Sequence, residues 1–143
     1  MTRLIADIGG TSLRLAHQHD DDPALRDPAI MACAAFAKAE DAFADYCAKY
    51  KPNIDMLCLA VAAPVTGAWV DITNNHWQFD AGKLAAAMNL RAYLLINDFI
   101  AQAMAHCDLL QYDRSMPVNH RQILRDGTAD QTTPLLVIGP GTG

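Results

Sequence analysis

Two glycine turns and two acidic positions are where residue type and spacing in this 143-residue chain could do chemistry. Asp7 stands at the end of the apolar run Leu4-Ile5-Ala6, and Gly9-Gly10-Thr11 follows it before a second apolar run from Leu13 to Ala16. Glycines at a strand-to-strand turn reach backbone conformations closed to other residues. They also let a bulky anion approach the main chain, whose N–H groups can then point at phosphate oxygens. Asp7 could hold a metal ion or a metal-bound water, and Thr11 could donate a hydroxyl hydrogen bond. Gly139-Pro140-Gly141-Thr142-Gly143 repeats the idea after Leu135-Leu136-Val137-Ile138, which suggests two loops closing on one phosphate chain. Between them, Leu94-Leu95-Ile96-Asn97-Asp98-Phe99 ends an apolar run in an amide and a carboxylate, and ligands gather at the carboxyl ends of strands in open α/β sheets. Each feature has an ordinary alternative. Gly-Gly-Thr also makes plain hairpins, Asp98 could cap a helix, and Asn97 could satisfy loop backbone.

These groups need a framework, and the hydrophobic pattern describes one. Residues 3–8 and 13–18 read as two strands, with a third over Ile30–Ala35. Asp20-Asp21-Asp22-Pro23 reads as an exposed loop, because like charges repel and Pro interrupts pairing. Three strands with no helix between them make an antiparallel meander. Ala42, Phe43, Tyr46 and Cys47 recur at helical spacing over Ala39–Lys49; Glu40 and Asp41 suit its positive N-terminal end, and Pro52 stops it. Met56–Ala62 has the near-continuous apolarity of a strand buried in a parallel sheet. Ala63–Gly67 is a small-residue turn, and Trp69–Ile72 alternates as a short strand. Asp80 can cap a helix over Ala81–Met88. A strand over Tyr93–Ile96 then leads to a helix near Phe99–His106. Residues 107–134 read as loops with one short helix near His120–Arg125, and Leu135–Ile138 is the last strand. The order predicts an α/β domain whose mixed sheet has three antiparallel strands first and parallel strands after, with helices on both faces.

Composition narrows the function. Hydrophobic residues make up 52% and charged residues 19%, as in a globular domain of this length. A net charge of −5 argues against a general nucleic-acid binder, which needs basic surface to neutralise phosphates. No apolar run reaches the ~20 residues that span a bilayer, and the first residues lack a signal-peptide pattern, so the expected location is the cytoplasm. Cys33, Cys47, Cys58 and Cys107 form no Cys-x-x-Cys pair and read as reduced thiols. His17, His106 and His120 have no acid at metal-ligand spacing.

Taken together, five motifs resemble one family. Asp7-Ile8-Gly9-Gly10-Thr11, Ala63-Pro64-Val65-Thr66-Gly67-Ala68-Trp69, Thr73-Asn74 with Trp77 and Phe79, Ile96-Asn97-Asp98-Phe99, and Gly139–Gly143 are similar, in that order, to the N-terminal domain of bacterial-type glucokinases, in the actin-like and sugar-kinase superfamily. The resemblance implies an RNase H-like fold, with residues 1–143 as the N-terminal small lobe of a two-domain sugar kinase. Its C-terminal lobe would be absent from this chain, which would be inactive alone. By the same resemblance, Ala6, Asp7, Ile8, Gly9, Gly10 and Thr11 form the first phosphate loop, and Gly141, Thr142 and Gly143 begin the second. Asn97 and Asn74 meet the sugar, and Asp98 is the general base for the attacking hydroxyl. The implied ligands are ATP, Mg²⁺ held at Asp7 directly or through water, and glucose or a related hexose. Neither nucleic acid nor a membrane is an expected partner, and self-association as a homodimer stays open. A sugar-sensing regulator on the same fold, or a kinase for another hexose, is the alternative. Phosphoryl transfer fits the residues, since it asks mainly for positioning and charge neutralisation. A hydroxyl is far less acidic than a carboxylic acid, so an ionised carboxylate would accept its proton late, as the bond to phosphorus forms. Two positions depart from the pattern: Ser12-Leu13 stands where these enzymes often carry Asn-Ala, and Ala63 where many carry Gly.

Overall fold

Alternation in the first eight residues becomes a strand whose two faces differ. The structure is a computed structural model that describes residues 1–111, with side chains through residue 105. In β1 (Thr2–Ile8), Leu4, Ala6 and Ile8 are buried on one face, while Arg3, Ile5 and Asp7 lie half-buried on the other. β2 (Ser12–His19) returns antiparallel to β1, and β3 (Asp22–Ala32) runs antiparallel to β2 at the sheet edge. β4 (Met56–Val61) pairs parallel to β1, and β7 (Ala92–Asn97) pairs parallel to β4. The sheet therefore has five strands in the order β3-β2-β1-β4-β7, antiparallel on one side of β1 and parallel on the other. This is the mixed α/β sheet that the pattern predicts.

Two helices cover its buried face. α1 (Ala39–Tyr50) contributes Ala42, Phe43 and Tyr46, and α2 (Ala81–Ala87) contributes Leu84 and Ala85, to a core shared with Leu4, Ala6, Leu57 and Leu59. α1 stops as Lys51 turns into the left-handed region at φ 48°, one residue before Pro52, which cannot continue a helix. α2 starts as expected, with the Asp80 carboxylate accepting from the Lys83 N–H at 2.9 Å. β5 (Trp69–Asp71) and β6 (Gln78–Asp80) form a separate two-stranded antiparallel sheet. α3 runs from Asp98 to Gln111. The chain divides into two units, Met1–Asp98 and Phe99–Gly143, and everything above except α3 beyond its first residue belongs to the first. No helix among the described residues is long and apolar enough to cross a membrane. The expected helix at His120–Arg125, the strand at Leu135–Ile138 and the turn at Gly139–Gly143 lie outside the described residues.

Three local expectations are corrected. The acidic loop ends at Asp21, and β3 begins at Asp22 because that carboxylate finds local partners: the Ala24 N–H at 2.9 Å and the Arg26 guanidinium at 2.7 Å. Arg26 holds the Asp22 carboxyl below the usual carboxylate range. Pro23 and Pro28 are tolerated because β3 is an edge strand, where a missing N–H costs less. Cys33–Ala35 is a single 3₁₀ turn instead of the end of a strand. β6, only three residues long, has no periodicity to read.

Tyr46 shows what burial does under α1. Its hydroxyl donates to the Asp27 carbonyl at 3.0 Å and lies 3.3 Å from His17 Nδ1. Burial, reinforced by the Asp27 charge, pushes the phenol up to about 12. The folded value exceeds the unfolded one near ~10, so this contribution to stability is complete below that value and is lost as pH rises through it toward 12. In an ultraviolet titration of tyrosinate, one ionisation step is expected near pH 12, and Tyr46→Phe is expected to remove it. A titration curve that Tyr46→Phe leaves without loss of a step near pH 12 would contradict it.

Candidate functional site

Register decides which loops meet. Ile8 on β1 pairs with Val61 on β4, and Val61 pairs with Asn97 on β7. The next residue of each strand, Gly9, Ala62 and Asp98, therefore leaves the sheet at the same carboxyl edge. The outer two strands are separated by two strand spacings, roughly 10 Å. The acid at position 98 and the bend at 9–11 share one edge of the sheet, as a common site requires.

The glycine turn is held from several sides. The Gly9 N–H donates to the Ser12 carbonyl at 2.9 Å, and the Cys33 N–H donates to the Thr11 carbonyl at 3.0 Å. A Cβ on Gly10 would lie 3.3 Å from the Thr73 carbonyl oxygen and 3.5 Å from the Asn74 Cβ, so glycine is what permits this approach. The loop it meets, residues 73–76, is anchored by the Thr73 N–H donating to the Ala62 carbonyl at 3.0 Å. Asn74 occupies the left-handed region at φ 58°, a conformation that Asn tolerates well. Its neighbour Asn75 donates from Nδ2 to the Gly9 carbonyl at 3.2 Å and accepts the Trp77 N–H at 3.1 Å. Beneath them Trp77 is buried, and its indole N–H donates to the Phe36 carbonyl at 3.2 Å.

Two hollows open at this edge. One, of about 540 Å³, is lined by Gly10, Thr11, Cys33, Asn74, Asn75 and His76. The other, of about 620 Å³, is lined by Pro64, Thr66, Trp69, Asp71, Thr73 and Asn74 among others. Asn74 and Asn75 line both. A larger hollow of about 730 Å³ lies between α1 and α2 near Asp55 and Arg91, at the amino end of the strands, and contains none of the predicted site residues.

Asn97 is bound into this edge. Its Nδ2 lies 3.4 Å from the Val61 carbonyl, 3.2 Å from the Ala63 carbonyl and 2.9 Å from Asp98 Oδ1. The amide thus fixes the carboxylate next to it. Asp98 opens α3, where the partial positive charge of a helix N-terminus favours an anion.

Asp7 is one residue short of the turn, on the face away from α1 and α2, and accepts from Arg14 at 2.7 Å. Both side chains are exposed, so the pair contributes little to stability. No group of three metal-ligating side chains exists among the described residues. A single carboxylate beside a glycine turn still fits Mg²⁺, which keeps water and phosphate oxygens as most of its ligands. The side chains of Ala6 and Ile8 point into the core and their main chain pairs with β2 and β4, so the expected ligand contacts at these two positions are corrected: they support the turn from within the sheet. Gly141, Thr142 and Gly143 lie outside the described residues.

Residue type alone gives Asn75 no evident role and marks Cys33 only as a reduced thiol, yet both meet the glycine turn. Asn two residues before a Trp is a readable signal for a side-chain-to-backbone turn, which is what Asn75 forms with Trp77. Nothing in the sequence pointed from Cys33 to the glycine turn. Its thiol, pushed up by burial and lowered again in part by Asn75, lies 3.9 Å from the Gly9 carbonyl as a weak donor.

Comparison with known proteins follows the same path. The family described as Glucokinase matches residues 4–143. The chain is 38% identical to a glucokinase of Pseudomonas paraeruginosa over 98% of this chain and 40% of that protein. It is 35% identical to a glucokinase of Campylobacter jejuni subsp. doylei over 99% of this chain and 40% of that protein. The crystal structure of a glucokinase from an Antarctic psychrotroph superposes with a TM-score of 0.71 at 28% identity, covering 91% of this chain and 40% of that one. The chain spans about two fifths of the length of the relatives it matches.

Proposed function

The chain belongs to the glucokinase family, and on that premise we propose that the complete protein carrying it transfers the γ-phosphoryl group of ATP to the 6-hydroxyl of glucose. One observation supports this reading above the rest: the shared level of Ile8, Val61 and Asn97, which brings a glycine turn and an oriented carboxylate to one edge. Asp98 takes the proton of the attacking hydroxyl as its oxygen bonds to phosphorus and ADP departs. Asn97 holds that carboxylate, and Asn74 lines the sugar side of the hollow. The N–H groups of Gly10 and Thr11 donate to phosphate oxygens while the Gly9 N–H closes the turn on Ser12, with Gly141, Thr142 and Gly143 forming the start of a second loop. Asp7 would hold Mg²⁺ through water, and the bound ion supplies charge neutralisation on the phosphates. Residues 1–143 serve as the N-terminal lobe. The adenosine pocket and the remaining sugar contacts belong to a second lobe, without which this lobe turns nothing over. Cysteines without a pairing pattern and a reaction that consumes ATP agree with a cytoplasmic location.

The test is a coupled assay of the complete protein with ATP and Mg²⁺ across glucose, mannose, fructose and N-acetylated hexoses. Glucose is expected to be the fastest acceptor. Preference for another sugar would correct the substrate, and sugar binding with no turnover of any hexose would replace the kinase with a sensor.

A further inference from the structure

The Gly9–Gly10 peptide has a weakness that its neighbourhood corrects. With glycine on both sides, no Cβ restricts rotation of this peptide plane, and glycine has the widest choice of conformation to lose. A phosphate turn needs that plane fixed, because a donor aimed the wrong way contributes nothing to an anion.

Two groups from distant parts of the chain converge on the Gly9 carbonyl. Asn75 Nδ2 donates to it at 3.2 Å, and Cys33 Sγ lies 3.9 Å away as a weaker donor. The orientation of the Asn75 amide is determined by its partners. The Gly9 carbonyl can only accept and the Trp77 N–H can only donate, so Nδ2 faces the former and Oδ1 the latter. A trans peptide is planar, with its N–H antiparallel to its C=O. Fixing the Gly9 carbonyl toward Asn75 therefore aims the Gly10 N–H the opposite way. The approach of Gly10 to Thr73 and Asn74 limits movement on its other side.

We propose that Asn75 is a positioning residue: by holding the Gly9 carbonyl, it sets the plane of the Gly9–Gly10 peptide and aims the Gly10 N–H at the nucleotide's phosphate. The role in turnover rests on the kinase reading above; the role in holding the peptide plane does not. The same amide ties the phosphate turn to the Asn74 loop, so the two halves of the site share one anchor.

The discriminating variant is Asn75→Ser in the complete protein. A serine hydroxyl can still accept the Trp77 N–H, as such side chains do in local turns, but is too short to reach Gly9. It adds no charge near a phosphate. kcat/KM for ATP is expected to fall about tenfold as the Gly10 donor loses its fixed direction, with the glucose KM within twofold and the melting temperature lowered by no more than the loss of one internal hydrogen bond allows. In ¹⁵N-labelled protein without nucleotide, the Gly10 amide resonance is expected to shift and broaden in the variant while amides of α2 stay fixed. An ATP kcat/KM within twofold of wild type overturns the role in turnover, as does an equal rise in both KM values with a lowered melting temperature. An unmoved Gly10 amide overturns the clamp itself. If the wild-type protein phosphorylates no hexose, the kinase reading falls alone, and the amide spectrum still decides whether Asn75 holds the turn.

Discussion

Asp98→Ala in the complete protein is expected to lower kcat for glucose phosphorylation by about 10³-fold, within the range that a positioned general base supplies. The KM for ATP should change by less than threefold, because in the proposed reaction the carboxylate would meet the acceptor hydroxyl and not the nucleotide. The structure makes this a clean experiment. Asp98 opens α3 and touches Asn97 at 2.9 Å, so its loss removes that contact and a favourable charge at a helix start, about 0.3–1 kcal/mol for the latter. A folded variant with little activity is therefore the expected outcome. Asp98→Asn sharpens the test. It keeps the shape and can still accept from Asn97, but an amide cannot take the proton, so its kcat should fall about as far. Steady-state kinetics with a melting curve for each variant decide it. Turnover above about a tenth of wild type in either would remove Asp98 from proton transfer.

Trp77→Ala has the largest expected effect on stability. The side chain is 1% exposed beneath the loop that carries Asn74 and Asn75, and its indole N–H donates to the Phe36 carbonyl at 3.2 Å. Truncating a buried Trp costs about 3–5 kcal/mol, through lost burial and the cavity left behind. That is a large share of the 5–15 kcal/mol by which native proteins are stable. Urea denaturation should show the midpoint falling with little change in slope. Trp77→Phe should lose less, since most of the volume stays and His76 Nε2 still lies 2.9 Å from the same carbonyl. A loss below about 1 kcal/mol for the alanine variant would mean that the loop is supported from elsewhere. Activity is expected to fall with stability here, because this loop holds the glycine turn through Asn75.

Local chemistry made the framework legible. β1, β4 and β7 were readable from their apolar runs, and α1 from its apolar spacing and Pro52. Asp80 was readable as a cap because capping joins residues three apart. Misreadings arose where a local rule met an unseen partner. Three consecutive aspartates read as a repelling loop, yet Asp20 meets Arg3 and the N-terminal amine, and Asp22 meets Arg26. Those neutralised charges let β3 start some eight residues before the position expected from Ile30.

Residue order supplies the repertoire: a glycine turn after an apolar strand, an amide–carboxylate pair after another, and the order of strands and helices around them. It also carries the alternation that assigns Ala6 and Ile8 to the core and Asp7 to the other face. Which strand ends stand level, and which loop holds which, emerges only on packing. A shift of two residues keeps every side chain on its own face, so alternation cannot distinguish Val61 opposite Asn97 from Leu59 opposite Asn97. That choice came from bonds across sequence separations of 34 to 66 residues, Asn97 to Ala63 and Val61 and Asn75 to Gly9, which exist only once packed layers bring those segments together.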